Sequence, residues 1–270
     1  MRGPWPTPSS SDADEFVPTE LTRGPWDPGA QHAGPPAALL GRAIERIGAD
    51  GDDPDAPPTR IGRVTYEILR SVPIAPLTVS TRVLRPGRRV ELVEASVGDG
   101  DGEVMRATAW RLRPTAVELP AGLPRGESPP GPETGAEGDF FPTGQEIGYH
   151  TAMEYRFVAG AFLEPGPATV WMRMRYPLIA GEQPSPLQRV LIAADSGNGV
   201  SATLDWRRFL FINVDLTVQL HRLPAGEWVC LDAITIPEPT GVGLADTALH
   251  DERGPIGRAT QTLLVAERDG

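Results

Sequence analysis

The chain has 270 residues, 40% of them hydrophobic, and a formal net charge of −11. That acidity argues against a nucleic-acid binder, whose phosphate contacts need a basic surface. No window reaches the roughly 18–20 apolar residues of a membrane span, and the lone Cys230 excludes both an internal disulfide and a multi-cysteine zinc site.

Residues 1–14 read as an unstructured start without the apolar core of a secretory signal, so a reducing cytoplasm is the expected compartment. A helix is predicted from Gly34, where prolines occupy the first turn and their missing N–H groups do no harm. The acidic run Asp50 to Asp55 lacks the spacing and closing Glu of a calcium loop and reads as solvated. A strand is expected over 64–72, ending at Pro73. Further β-rich runs over 77–84, 88–97 and 104–112 are broken by Pro86-Gly87 and by Asp99 to Gly102. Residues 114–147, rich in Pro and Gly, read as a linker between a first unit (15–113) and a second (148–270). The second unit opens its helix at Ser185-Pro186. Strands are predicted over 209–220, 227–236, 241–249 and 256–266.

The two units repeat. Pro35 matches Pro186, and the strands ending at Pro73 and Pro224 match, both at an offset of 151. Arg106-Ala-Thr108 matches Arg258-Ala-Thr260 at 152. Each unit is one apolar helix followed by antiparallel strands, an α+β arrangement in which a sheet curls around a buried helix. All 25 basic residues are arginine, so reactions that need a lysine (Schiff bases, P-loops, kinases, Ser–Lys dyads) are excluded.

Several motifs add a resemblance. The run Gln31 to Glu45, the hairpin Arg85-Pro-Gly-Arg88, Ala194-Asp-Ser-Gly-Asn-Gly199, Phe211-Ile-Asn-Val-Asp-Leu-Thr217 and His221-Arg222 resemble actinobacterial relatives of acyl-CoA thioesterase II (TesB). The resemblance implies a double hotdog and hydrolysis of an acyl-CoA without metal or redox cofactor. It also implies an Asp, a Thr and a Gln that orient the attacking water. These fall on Asp195, Asn213 and Gln261, with Asn departing from the Thr of the pattern; an amide can still donate to or accept from a water. At the repeat offsets these three face Ile44, Gly62 and Ala109, so one half is expected to be active and the other supporting.

Asp195 as general base and the start of the first helix, around His32 and Gly34, as substrate and oxyanion contact complete the expected site. Plainer readings stand beside these. Asp195 also suits a helix end, although a carboxylate there opposes the dipole; Asn213 and Gln261 suit solvent-facing strand positions; and His32 suits a structural role. Arg85, Arg88 and Arg89 fit either coenzyme A phosphates or a soluble hairpin. His150, His221 and His250 show no metal-ligand spacing. The rival functions are a non-catalytic acyl-CoA or lipid binder and a hotdog hydratase or dehydratase, the latter disfavoured because no Asp/His pair is evident. Homo-oligomer formation through sheet edges or faces stays open.

Overall fold

A computed structural model describes residues 15–47, 59–123, 126–140 and 142–268. The expected unstructured start at 1–14 and the acidic run within 48–58 lie outside the described residues. In chain order the elements are β1 (Glu15–Phe16), α1 (Gly34–Arg46), β2 (Arg60–Ile68), β3 (Leu77–Arg85), β4 (Val90–Gly98), β5 (Glu103–Leu112), α2 (Tyr149–Ala152), β6 (Met153–Ala161) and β7 (Glu164–Met174). There follow α3 (Pro186–Ala194), α4 (Gly197–Val200), β8 (Phe209–Asn213), β9 (Asp215–Leu220), β10 (Val229–Pro237), β11 (Val242–Asp251) and β12 (Gly254–Glu267).

The strands form one antiparallel sheet in the order β1-β3-β4-β5-β2-β9-β12-β11-β10-β7-β6, with β8 pairing β12. Outward from the β2–β9 junction the two wings repeat: β5, β4 and β3 on one side, β12, β11 and β10 on the other, with β1 and β7 at the next position in the order. The copies are 152 residues apart, since β4 and β11 begin at Val90 and Val242 and β3 and β10 at Leu77 and Val229. At the junction Thr65 faces Thr217, again 152 apart, and the Thr217 hydroxyl lies 3.1 Å from that of Thr65. A pseudo-twofold axis therefore passes through this pair. The bulge at Gly62 in β2 corresponds to the break at Val214 between β8 and β9. On that register the counterpart of Asn213 is buried Ile61, which corrects the pairing with Gly62 made at an offset of 151.

The strand expected over 64–72 starts and ends earlier, at 60 and 68. Beyond Ile68 the chain leaves the sheet, and the Val72 carbonyl accepts from Gln31 N–H at 2.8 Å. The run expected over 209–220 is two strands, because the Val214 carbonyl turns to accept from Ile68 N–H at 2.9 Å. The sequence pattern does not mark the β6–β7 hairpin. Its β-propensity is diluted by Gly160 and by Pro165 and Pro167 near its turn. The proline-rich stretch after β5 is held against this hairpin: Trp171 Nε1 donates to the Pro130 carbonyl at 2.7 Å, Ala136 bridges to Phe157, and Phe140 packs on Phe162.

The two long helices pack against each other beneath the sheet. Helix α3 starts where the Ser185 hydroxyl accepts from Gln188 N–H at 3.2 Å, with Pro186 in its first turn. Helix α1 buries Ala37, Ala38, Leu39, Leu40 and Ile44 completely, and each large aliphatic contributes about 1.5–3 kcal/mol. Glycine makes the helix pair close. A Cβ on Gly34 would sit 2.4 Å from the Ile192 carbonyl oxygen, and one on Gly41 would sit 2.2 Å from Leu191 Cδ1. One continuous apolar cluster runs through both halves.

Candidate active site

The close approach at Gly34 brings the start of α1 against the end of α3, where Asp195 follows the last helical residue. Asp195 is 4% exposed and meets three side-chain donors. Asn213 Nδ2 donates to its Oδ1 at 2.9 Å, Gln261 Nε2 lies 3.3 Å from the same oxygen, and His32 Nδ1 lies 2.8 Å from Oδ2. The five residues singled out from the sequence (His32, Gly34, Asp195, Asn213, Gln261) thus converge from a loop, two helices and two strands.

Their roles differ. Asn213 uses both amide hydrogens on protein acceptors, the second on the Asp215 carbonyl at 3.2 Å, so Oδ1 is the atom it can offer to a water. Gln261 is 1% exposed and lies behind Asp195, outside the cleft lining. Its Nε2 also bonds the Asp195 carbonyl at 3.2 Å, and its Oε1 accepts from Asn198 N–H at 3.1 Å. The position expected for a water contact is therefore a brace for the carboxylate.

His32 Nδ1 has two neighbours, Asp195 Oδ2 at 2.8 Å and Gly34 N–H at 3.2 Å. One ring nitrogen cannot donate and accept at once. A carboxylate only accepts, so the shorter contact fixes the proton on Nδ1. Gly34 N–H points at that nitrogen, and Gly34 itself lies just behind the cleft-lining His32 and Ala33. The expectation of several first-turn donors needs correction: Pro35 and Pro36 have no N–H, and Ala37 N–H is already bonded to the Ala33 carbonyl at 2.9 Å. Gly34 is the first-turn donor that remains. The His32 ring stacks on Tyr149, with centroids 3.8 Å apart and planes 13° apart. Burial pushes the Tyr149 hydroxyl well above its ordinary pKa, so it stays protonated and donates to the Ile192 carbonyl at 2.6 Å. Nothing in the sequence marks Tyr149, which the packing of α3 brings against His32, and Asn198 enters only as part of the Ala194 to Gly199 motif, with no role attached.

A cleft of about 230 Å³ opens onto these groups. Its walls come from both halves: Trp26, His32, Ile68 and Val72 from the first, Asp195, Ile212, Asn213 and Val214 from the second. It combines a polar floor with apolar walls. At the pseudo-symmetric position the corresponding helix ends are closed by Arg42 on Glu182, at 2.7 and 2.9 Å, and by Ser185 on Glu45 at 2.7 Å. Arg85, Arg88 and Arg89 sit by the β3–β4 turn, near Arg60 at the opposite end of β2 from the cleft-lining Ile68. They do not reach the site. The Asp/His pair that sequence reading could not find exists in space, formed between the halves by Asp195 and His32. Among the described residues no helix is long and apolar enough to cross a membrane.

Comparison with known proteins places this geometry in context. Family models for acyl-CoA thioesterases match twice, the N-terminal domain over residues 22–112 and the C-terminal domain over residues 126–265. A search of curated proteins by sequence gave no match. Among solved structures, a proposed thioesterase II from Thermobifida fusca YX is similar at 16% identity and a TM-score of 0.74, over 98% of this chain and 96% of that one. A protein with a hot dog fold from Alicyclobacillus acidocaldarius is similar at 14% identity and 0.69, over 97% and 96%. The acyl-CoA thioesterase II TesB2 of Mycobacterium marinum is similar at 13% and 0.64, over 98% and 96%. At these identities the likeness fixes the fold, a hotdog type.

Proposed function

Because the chain belongs to the acyl-CoA thioesterase family, with the C-terminal domain match alone spanning over half of it, and is a thioester hydrolase, we propose that it hydrolyses acyl-CoA at the Asp195 cleft as a tandem double hotdog with one working site. The mirrored strand order about Thr65 and Thr217 supports the tandem reading. The convergence of His32, Asn213 and Gln261 on one buried carboxylate carries the site.

In this reading a water held between Asp195 Oδ2 and Asn213 Oδ1 gives its proton to Asp195 and attacks the thioester carbonyl carbon. The carbonyl oxygen, gaining negative charge, lies toward the positive end of the α1 dipole, and Gly34 N–H serves it once turned from His32 Nδ1. The C–S bond then breaks, and the proton returns to sulfur as coenzyme A leaves. Gln261 keeps the carboxylate in line, and orientation of this kind supplies a large part of such barriers. No residue of the set requires a metal. The apolar walls formed by Trp26, Ile68, Val72, Ile212 and Val214 suit the acyl chain.

The test is release of free thiol from a panel of acyl-CoAs by the native chain and by Asp195→Asn. A drop of at least about a hundredfold in kcat supports the assignment; full activity in the variant refutes it. Binding without hydrolysis at every chain length would favour the non-catalytic binder.

A second reading rests on the 2.8 Å contact of His32 with Asp195. There His32 Nε2 takes the proton and Asp195 holds the tautomer. Replacing His32 with Gln separates the two: a loss of about a hundredfold or more in kcat with Asp195 intact supports the imidazole as base, and retained activity refutes it.

A further inference from the structure

Five arginines of this acidic chain lie over aromatic rings, and two of them, Arg42 and Arg173, also hold a carboxylate. Arg42, Arg70, Arg173, Arg222 and Arg258 each hold a carboxylate, on Glu182, Asp99, Glu154, Asp251 and Asp246. Arg207, Arg208 and Arg268 form no ion pair within 4 Å among the described residues, and each guanidinium lies over an aromatic ring instead. Arg207 is 5.4 Å from the centroid of Trp206, Arg208 is 5.5 Å from Phe209, and Arg268 is 5.4 Å from Trp26. The three are tied into one surface: Arg268 Nε donates to the Trp206 carbonyl at 2.9 Å, and its backbone N–H to the Arg208 carbonyl at 2.8 Å. The neighbouring acids leave them free. Asp205 Oδ1 accepts the backbone N–H of Arg207 at 3.0 Å, and Glu267 lies across from Phe209 in the β8–β12 ladder.

This surface adjoins the cleft. Trp26 lines the cleft and packs edge-on against Phe211, with centroids 5.0 Å apart. Strand β8 runs from Phe209, beside the arginines, to Asn213, whose amide holds Asp195. Four strand steps span roughly 14 Å, the scale of the flexible arm that separates a thioester from the nucleotide in coenzyme A. A net charge of −11 repels a polyphosphorylated ligand, and unpaired arginines at one rim reverse that locally. A guanidinium lying on a ring keeps its N–H edge free for phosphate oxygens. The interleaved planes offer a stacking surface to a base.

Resting on the acyl-CoA reading of the Asp195 cleft, we propose that Arg207, Arg208 and Arg268, with Trp26, Trp206 and Phe209, bind the phosphorylated adenine nucleotide of the substrate. An acidic carrier protein would meet the charge but supplies no planar base to lie on guanidinium and ring faces, so the nucleotide is the better fit.

The test compares the native chain with R207S/R208S on an acyl-CoA and on the same acyl group carried by N-acetylcysteamine, which has the thioester but no nucleotide. The double variant is expected to raise KM for acyl-CoA roughly tenfold or more, to leave kcat within about twofold, and to leave the truncated thioester unaffected. R207K/R208K, keeping charge but not the fork, should fall between. An unchanged KM, or an equal rise on both substrates, overturns the proposal. Calorimetry with adenosine 3′,5′-bisphosphate tests the surface apart from catalysis: the native chain should bind it and the double variant more weakly by a similar factor. Failure of the native chain to bind it overturns the nucleotide site. Hydrolysis of neither thioester, with the bisphosphate still bound, faults the Asp195 reading alone. Preference for an acylated carrier protein without bisphosphate binding overturns the proposal in favour of carrier docking.

Discussion

Replacing Gln261 with Leu separates bracing of the carboxylate from contact with substrate. The side chain is 1% exposed, and its amide makes three contacts: to Asp195 Oδ1 at 3.3 Å, to the Asp195 carbonyl at 3.2 Å and from Asn198 N–H at 3.1 Å. Leucine fills similar volume but leaves the buried Asn198 N–H without its acceptor, which costs about 1–3 kcal/mol. The two donors to Asp195 are long, and losing them adds about 1 kcal/mol more. A total of about 2–4 kcal/mol corresponds to a fall in Tm of about 5–10 °C in a chain of this size. Below that melting point the variant is folded, yet Asp195 Oδ1 keeps Asn213 alone, and small misplacements of a reacting group cost up to about a hundredfold. We expect kcat at 25 °C to fall by about ten- to a hundredfold with KM nearly unchanged, because Gln261 does not line the cleft. Steady-state thiol release and a thermal melt on the same preparation decide it. A lower Tm with intact kcat would make Gln261 a purely structural residue, and a raised KM with intact kcat would return it to the substrate side.

Other outcomes follow from single contacts. Gly34→Ala places a methyl 2.4 Å from the Ile192 carbonyl; forcing the helices apart should cost about 1–3 kcal/mol and displace Asp195, so both Tm and activity should fall, and a neutral variant would show that the approach is not close. Burial raises the pKa of the Cys230 thiol, and the residue is 0% exposed. A disulfide reagent should therefore titrate no thiol in the native chain and one in denaturant; fast native reaction contradicts this. Asp251 accepts from Arg222 at 2.6 Å and from the N–H groups of Ala225 and Arg253 at 2.7 and 2.8 Å. Burial alone would raise its pKa, but these bonds together outweigh it and hold the carboxyl below its ordinary value. The stabilisation is thus complete above the unfolded value of about 3.9 and lost as pH falls through the lower folded one. Asp251→Asn should lose about 3 kcal/mol at pH 7 in a urea titration and show a shallower decline below about pH 4 than the native chain; parallel acid limbs would refute the assignment.

Local chemistry in the sequence determined much of this protein. Proline in the first turn and an apolar face mark α1 and α3, alternation with glycine-bearing turns marks β3–β5 and β10–β12, and the repeat at about 152 residues announces two copies of one plan. The resemblance to TesB-type thioesterases singled out Asp195, Asn213 and Gln261, and the repeat sets them opposite small or apolar positions of the first copy. Local pattern could not find the β6–β7 hairpin, whose strands carry prolines and glycine that only the pairing of β7 with β10 overrides. Nor could it find the geometry of the candidate site. His32 lies 163 positions from Asp195, and their meeting depends on an α1–α3 approach that Gly34 permits by having no Cβ. The same packing set Gln261 behind Asp195, outside the cleft lining, and added Tyr149 behind His32. Periodicity reports which face of an element is buried; which element lies against that face is settled by close packing in three dimensions.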